Sequence, residues 1–181
     1  AENIGVIINR GLLRVGLDFN IGKMAAVIGI WQNNKLEIID EIIGAYDTLD
    51  MIGKLQNRHG DRLYIYPDAS GGNRNTSSNE TDISLLKKHF KVVSPRSNPF
   101  IRDRVNLVNG LICNSKKERR LIINPNCHHL IEALESQTYD QKTGQPDKTN
   151  DYDHPADALG YLVYGVIKSK IGIKSSGYSF Y

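Results

Sequence analysis

The sequence predicts an α/β domain built on a mixed five-stranded sheet with helices on both faces. Three observations predict it. Within residues 12–45, three consecutive segments are apolar or alternate with period two, and short links join them. After residue 46 the hydrophobic period becomes helical, and strand-like and helical segments then alternate to the end. A helix separates the third strand from the fourth, so the fourth returns to the sheet by a crossover, and the sheet is mixed.

Each element follows from local pattern. Residues 1–11 are weakly patterned and end in Arg10-Gly11, which reads as a linker. In "LLRVGLDFN" (12–20), Leu13, Val15, Leu17 and Phe19 point one way, and Arg14, Gly16 and Asp18 the other. "MAAVIGIWQ" (24–32) is nearly all apolar and reads as a buried second strand. Asn33-Asn34 is a turn, and "KLEIIDEIIGA" (35–45) is the third strand of a meander. "DTLDMIGKLQNRHG" (47–60) places Leu49, Ile52 and Leu55 at helical spacing, with Asp47 or Thr48 as N-cap and Gly60 as the stop. "DRLYIYPDAS" (61–70) is the fourth strand, running into the small, polar loop "GGNRNTSSN" (71–79), which reads as flexible. "ETDISLLKKHF" is helical and "KVVS" is the fifth strand. "IRDRVNLVNGLICN" (101–114) carries Val105, Val108, Leu111 and Ile112 at helical spacing. "RRLIINP" reads as an extra strand before the helix "CHHLIEALESQ", and residues 138–151 as a hairpin-like loop turning at Thr143-Gly144. The last helix starts near Pro155 and runs to Lys170, with Leu159, Leu162, Val163, Val166 and Ile167 as its core stripe. The domain therefore spans residues 12–170, and residues 171–181 form a flexible tail.

Composition narrows the class. The 181 residues suit one domain, and 40% hydrophobic with 24% charged residues is ordinary for a globular protein. No apolar run is long enough to span a bilayer and no signal-peptide pattern opens the chain. The first residue is Ala1, which suggests a piece of a longer protein. Cys113 and Cys127 are far apart and read as reduced thiols, not as a zinc site. Net charge is only +3, but basic residues concentrate mid-chain, including "KKERR" at 116–120. No GxxxxGK[ST] loop is present, so no Walker-type phosphate site exists in this sequence.

Three groups of residues carry candidate chemistry. Asp18 sits on the polar side of the first strand, where Asp is disfavoured, with Gly16 and Gly22 leaving room for a close approach. Asp68 ends the fourth strand after Pro67. If the fourth strand lies parallel beside the first, both carboxylates meet at neighbouring C-terminal ends, where open sheets bind ligands. There they repel unless a cation bridges them. The third group opens the last helix. Asp151, Asp153, His154 and Asp157 exceed what one helix cap requires, and His154 and Asp157 share a face. Separated carboxylates suit hard cations such as Mg²⁺ or Mn²⁺. Two such ions, ~3.5–4 Å apart, support in-line phosphodiester displacement. Taken singly, Asp18 and Asp68 read better as turn residues, and an acid in the last helix's first turn reads as a complement to the helix dipole.

Together, "GLDFN", "YPDAS" and "HPADALGY" resemble the RNase H-like nuclease domain of tailed-bacteriophage large terminase subunits, those of headful packaging above all. The resemblance covers residues 12–170 and implies the RNase H-like mixed five-stranded sheet, with an accessory hairpin. It implies Asp18, Asp68 and Asp157 as catalytic metal carboxylates, with His154 and Asp153 as further candidates, and two Mg²⁺ or Mn²⁺ ions. It implies an endonuclease that cuts concatemeric double-stranded DNA with little sequence preference. The partners implied are an N-terminal ATPase domain, the small terminase subunit and the portal, in the host bacterial cytoplasm at the procapsid. Arg74, Arg102, Arg104, Lys116, Lys117, Arg119 and Arg120 are the candidate phosphate contacts. Competing readings are a resolvase or integrase of the same superfamily, an actin-like ATPase half, and a non-catalytic docking module. The second wants glycine-rich phosphate loops, and "DFNIGKMAA" has a single glycine.

Overall fold

The computed structural model describes residues 12–72, 80–136, 153–171 and 178–180. In chain order these form β1 (Leu13–Asp18), β2 (Met24–Gln32), β3 (Lys35–Ala45), α1 (Thr48–His59), β4 (Leu63–Pro67), a 3₁₀ turn (Ala69–Gly72), α2 (Asp82–Lys87), β5 (Lys91–Pro95), α3 (Ile101–Ile112), β6 (Leu121–Ile123), α4 (His128–Ser136), α5 (Asp153–Ile171) and β7 (Tyr178–Phe180). The strands make one sheet in the order β6-β3-β2-β1-β4-β5-β7. β1, β2 and β3 are the antiparallel meander, while β4 pairs parallel with β1, β5 with β4 and β6 with β3. The tail expected to be flexible supplies a strand, because Tyr178–Phe180 pairs antiparallel with β5. Residues 1–11, the loop at 73–79 and the hairpin-like segment at 138–151 lie outside the described residues. Among the described residues no helix is long and apolar enough to cross a membrane.

Local chemistry explains the connections. Asn33 and Asn34 both take positive φ (50° and 59°), the two-residue turn whose twist matches a hairpin. The Asp47 side chain accepts the Asp50 amide at 2.9 Å and caps α1, and Gly60 ends it at φ 73°. Thr81 and Ser84 form a capping box on α2. The Thr48 hydroxyl donates to Asp82 at 2.6 Å and ties α1 to α2.

The sheet is covered on both sides. One core packs β1, β2 and β4 against α1 and α2 through Val15, Leu17, Met51, Leu55 and Leu86. The other packs Ala25, Val27 and Tyr66 against α3, α4 and α5. Two helix faces differ from the spacing expectation. α1 buries Thr48, Met51, Ile52 and Leu55, whereas Leu49 is 61% exposed. α3 buries Arg104, Val108 and Leu111, whereas Ile112 is exposed.

α5 is docked by two glycines, one from each partner. A Cβ on Gly16 of β1 would lie 2.0 Å from the Ala158 carbonyl oxygen, so the helix backbone sits directly on the strand. A Cβ on Gly165 would lie 2.2 Å from the Tyr66 ring. Leu159, Leu162, Val163 and Val166 are fully buried between them. Each such side chain contributes roughly 1.5–3 kcal/mol by leaving water. The two close approaches fix the helix along its axis and about it, and hence the placement of its first turns.

Candidate metal centre

The register sets the site. Leu17 of β1 stands opposite Pro67 of β4 in a parallel ladder, and the Asp68 amide donates to the Leu17 carbonyl at 3.0 Å. Asp18 and Asp68 therefore lie at adjacent C-terminal strand ends, where β1 and β4 run out toward their loops. Gly16, one alternation before Asp18 on the same face, receives α5, which brings the start of that helix over Asp18.

Each acidic side chain has its own partner. Asp68, 4% exposed, accepts the Phe19 amide at 3.2 Å through one oxygen and the Ser70 amide at 2.5 Å through the other. These bonds tie the two strand ends together and start the 3₁₀ turn. Asn98 reinforces that turn by accepting the Ala69 amide at 2.6 Å. Asp18, 8% exposed, lies 2.9 Å from His154 Nδ1. The other ring nitrogen, Nε2, lies 3.0 Å from Asn20 Nδ2. An amide nitrogen only donates, so these contacts define the tautomer in which Nδ1–H donates to Asp18 and Nε2 accepts from Asn20. Asp157 accepts from Arg104 Nη1 at 2.8 Å. Arg104 is 4% exposed, and its guanidinium lies 4.2 Å from the centroid of the Tyr161 ring.

The electrostatics are uneven. Burial, then the charges of Asp157 and Asp68, push the Asp18 carboxyl up to about 7, against a smaller opposing pull from His154. Burial pushes the Tyr161 hydroxyl well above its ordinary range, with Asp68, Asp157 and Asp18 adding to the rise against Arg104. The three carboxylates thus feel one another. Among the described residues, however, no three His, Cys, Asp or Glu side chains close on a common point as they now stand. Asp157 is turned onto Arg104 and Asp18 onto His154. The donor set fits a hard divalent cation: it is all carboxylate oxygen, and its members repel one another.

The structure also sorts the sequence-derived candidates. Asp18, Asp68, Asp157 and His154 come together. Asp153 is the first residue of α5, and its side chain, like all of Arg74, lies outside the described residues. Arg104 is not a surface phosphate contact; it is buried against Asp157. Arg102 is exposed on the first turn of α3. Lys116, Lys117, Arg119 and Arg120 follow the far end of α3. The Arg120 carbonyl accepts the Leu36 amide, at the edge of the sheet opposite Asp18. That cluster is away from the rim of the acidic site. Gly16 leaves no room for a ligand because it receives α5, whereas Gly22, at φ 77°, makes the β1–β2 turn and has open space beside it. Sequence reasoning missed Asn20 and the burial of Arg104. The only signal for the latter was an arginine at the same helical spacing as Val108 and Leu111.

An open mixed sheet in this order, with acidic groups gathered at the ends of its central parallel pair and a helix start laid across them, defines an RNase H-like domain. The chain belongs to the terminase RNaseH-like domain family, whose model matches residues 15–164. It is similar to the large terminase of a thermophilic bacteriophage, solved in complex with ATP-γ-S, with a TM-score of 0.66 and 19% identity over 86% of this chain. That match spans 40% of the other, longer chain, so this chain corresponds to about two fifths of that protein. It is also similar to the large terminase nuclease domain of bacteriophage SPP1, solved with manganese bound (TM-score 0.60, 18% identity, 91% of this chain and 93% of that one). A third similarity is to the large terminase nuclease of thermophilic phage G20c, solved with magnesium bound (TM-score 0.55, 12% identity, 86% and 82%). None of the curated proteins compared with the chain shows significant sequence similarity.

Proposed function

We propose that this chain is a divalent-metal-dependent endonuclease domain that cuts double-stranded viral DNA during genome packaging, with little sequence preference. The observation that carries the reading is that Asp18 and Asp68 end the neighbouring strands β1 and β4, with Asp157 at the start of α5 near enough for its charge to press on Asp18. Asp18 is left there with more negative charge around it than its protein partners offset. Membership of a terminase nuclease family and the manganese and magnesium in the SPP1 and G20c nucleases support it.

In this reading Asp18, Asp68 and Asp157 would hold Mg²⁺ or Mn²⁺, two ions for one phosphodiester, which when bound would supply an activated water and stabilise charge on the scissile phosphate. The chain's own residues do the rest. Asp68 keeps its oxygens aimed through two backbone amides. His154 orients Asp18 through Nδ1, and Asn20 holds the imidazole from the other side, so His154 acts as an orienting group with both nitrogens engaged. Arg102, exposed on the first turn of α3, is assigned to DNA phosphate, a contact that positions DNA without reading bases. The ATPase domain, small subunit and portal are partners of the longer protein to which such a domain belongs, acting at the procapsid in the host cytoplasm.

The test is cleavage of supercoiled plasmid by wild type and Asp18→Asn with Mg²⁺, Mn²⁺ or EDTA. Cutting that needs the metal and disappears in the variant is expected. Cutting in EDTA, or full activity in the variant, would sink the reading. Preference for branched over linear duplex would favour a resolvase instead.

A further inference from the structure

Arg104 is a buried cation beside an acidic site in which Asp157 and Asp68 press on Asp18. Its side chain is 5% exposed, with Nη1 2.8 Å from Asp157 Oδ1 and 3.5 Å from the Asp157 carbonyl oxygen. Its guanidinium packs 4.2 Å from the Tyr161 ring centroid. Gly160 makes the space: a Cβ there would lie 3.3 Å from Nη1 and 3.4 Å from the arginine's own Cβ. The arginine Nε is buried without a hydrogen-bond partner. An arginine buried in this way is costly unless it faces a charged group, and the carboxylate it faces is Asp157. Asp157 is in turn the larger of the two charges that press on Asp18.

We infer that Arg104 is a built-in countercharge, a positioning residue that holds Asp157 while no cation is bound and against which a divalent cation must compete for that carboxylate. This rests on the metal reading above. Arg104 then stabilises the metal-free fold and weakens metal binding, for two reasons. Its positive charge repels the incoming cation at short range, and its bond to Oδ1 uses one of the lone-pair positions that Asp157 has to offer and fixes the carboxylate's direction. A structural arginine that merely pinned α3 to α5 would have no such effect: its loss would loosen the ligand and leave metal binding weaker or unchanged.

The experiment measures Mn²⁺ affinity by electron paramagnetic resonance of the free ion, and metal-free thermal stability, for wild type, Arg104→Met and Arg104→Lys. Removing a unit charge this close to a divalent ion in a buried site is expected to tighten Mn²⁺ binding by about tenfold or more in Arg104→Met. Its metal-free Tm should fall, and the Tm gain on adding Mn²⁺ should exceed that of wild type. Arg104→Lys keeps the charge and should bind Mn²⁺ as wild type does. Should Arg104→Met not fold, Gly160→Ala displaces the guanidinium more gently and should shift Mn²⁺ affinity in the same direction. Mn²⁺ binding that is equal or weaker in the variant that folds overturns this inference alone. Mn²⁺ binding by neither wild type nor variant overturns the metal reading, and this inference with it.

Discussion

Asp18→Asn should make the metal-free protein more stable at pH 8, although it removes the central candidate ligand. In the folded state Asp18 ionises near 7 because burial, Asp157 and Asp68 oppose its charge; in the unfolded chain it ionises near 3.8. The folded state therefore holds a proton that the unfolded state releases. Stability from this group is complete below pH 3.8, falls as pH rises through the interval to about 7, and is flat above. At about 1.4 kcal/mol per pH unit, the full cost is about 4 kcal/mol. That cost already includes the opposing pull of His154, so a neutral Asn that keeps an oxygen toward His154 recovers up to about 4 kcal/mol at pH 8. For a domain of this size that is a Tm rise of up to about 8–16 °C. Asp40 titrates in the opposite sense, held low despite its burial by bonds from His59 and the Glu41 amide. Its contribution is lost only as pH falls below the ordinary Asp range, so the two windows separate. The assay is calorimetry in EDTA at pH 4.5, 6 and 8, with and without added Mg²⁺. The variant's advantage should be smallest at pH 4.5 and largest at pH 8, and Mg²⁺ in excess of the chelator should stabilise wild type only. A variant no more stable at pH 8, or a difference that does not vary with pH, refutes the account of Asp18.

Other outcomes follow from the same geometry. Gly16→Ala should cost about 3 kcal/mol or more, read by urea unfolding, because the new methyl meets helix backbone and not a flexible side chain. Metal-dependent cleavage should fall with it as α5 lifts. His154→Ala should fold normally but lose about 10–100-fold in Mg²⁺ affinity or cleavage rate, the usual cost of losing an orienting partner. Arg102→Ala should lower the salt slope of DNA binding by about one. Neutralising Lys116, Lys117, Arg119 and Arg120 together should leave cleavage of a short linear duplex unchanged.

What the sequence disclosed depended on how far each signal reached. β2 and β3 were legible to the residue, because alternation and the Asn33-Asn34 turn are local facts. The N-cap of α1 was legible to within one residue, Asp47 or Thr48, for the same reason, and the structure places it at Asp47. The α1 face was not: Leu49, Ile52 and Leu55 satisfy the helical period as well as Thr48, Met51, Ile52 and Leu55 do, and only the position of the sheet chooses between them. Arg104 was misread because hydropathy assigns arginine to the surface. Its burial is compensated by an aspartate 53 residues on, which no local window contains. Gly16 differs in kind from its sequence reading: the room it leaves beside Asp18 is filled by a helix and not by a ligand.

The candidate carboxylates were each ambiguous in sequence, and the structure explains why the ambiguity was real. Asp68 does serve a turn, since both its oxygens accept amides at the strand end. Asp157 does sit in an early helical turn, and there it neutralises a buried arginine. A structural role and a ligand role are compatible on one side chain, because a carboxylate offers more lone pairs than a single donor uses. What separates a metal site from a set of turn residues is the balance of charge around its carboxylates. Asp68 accepts two amides and Asp157 accepts from a guanidinium. Asp18 has an imidazole, set against burial and two like charges, and its ionisation is driven far from the ordinary range. The fold supports that imbalance by docking α5 through Gly16 and Gly165 on packed apolar surface, so the repulsion cannot relax by moving the helix. A cation bound at Asp18 relieves a cost that the packing has already absorbed, and for that reason the loss of Asp18, not of Asp68 or Asp157, should uncouple metal binding from stability most completely.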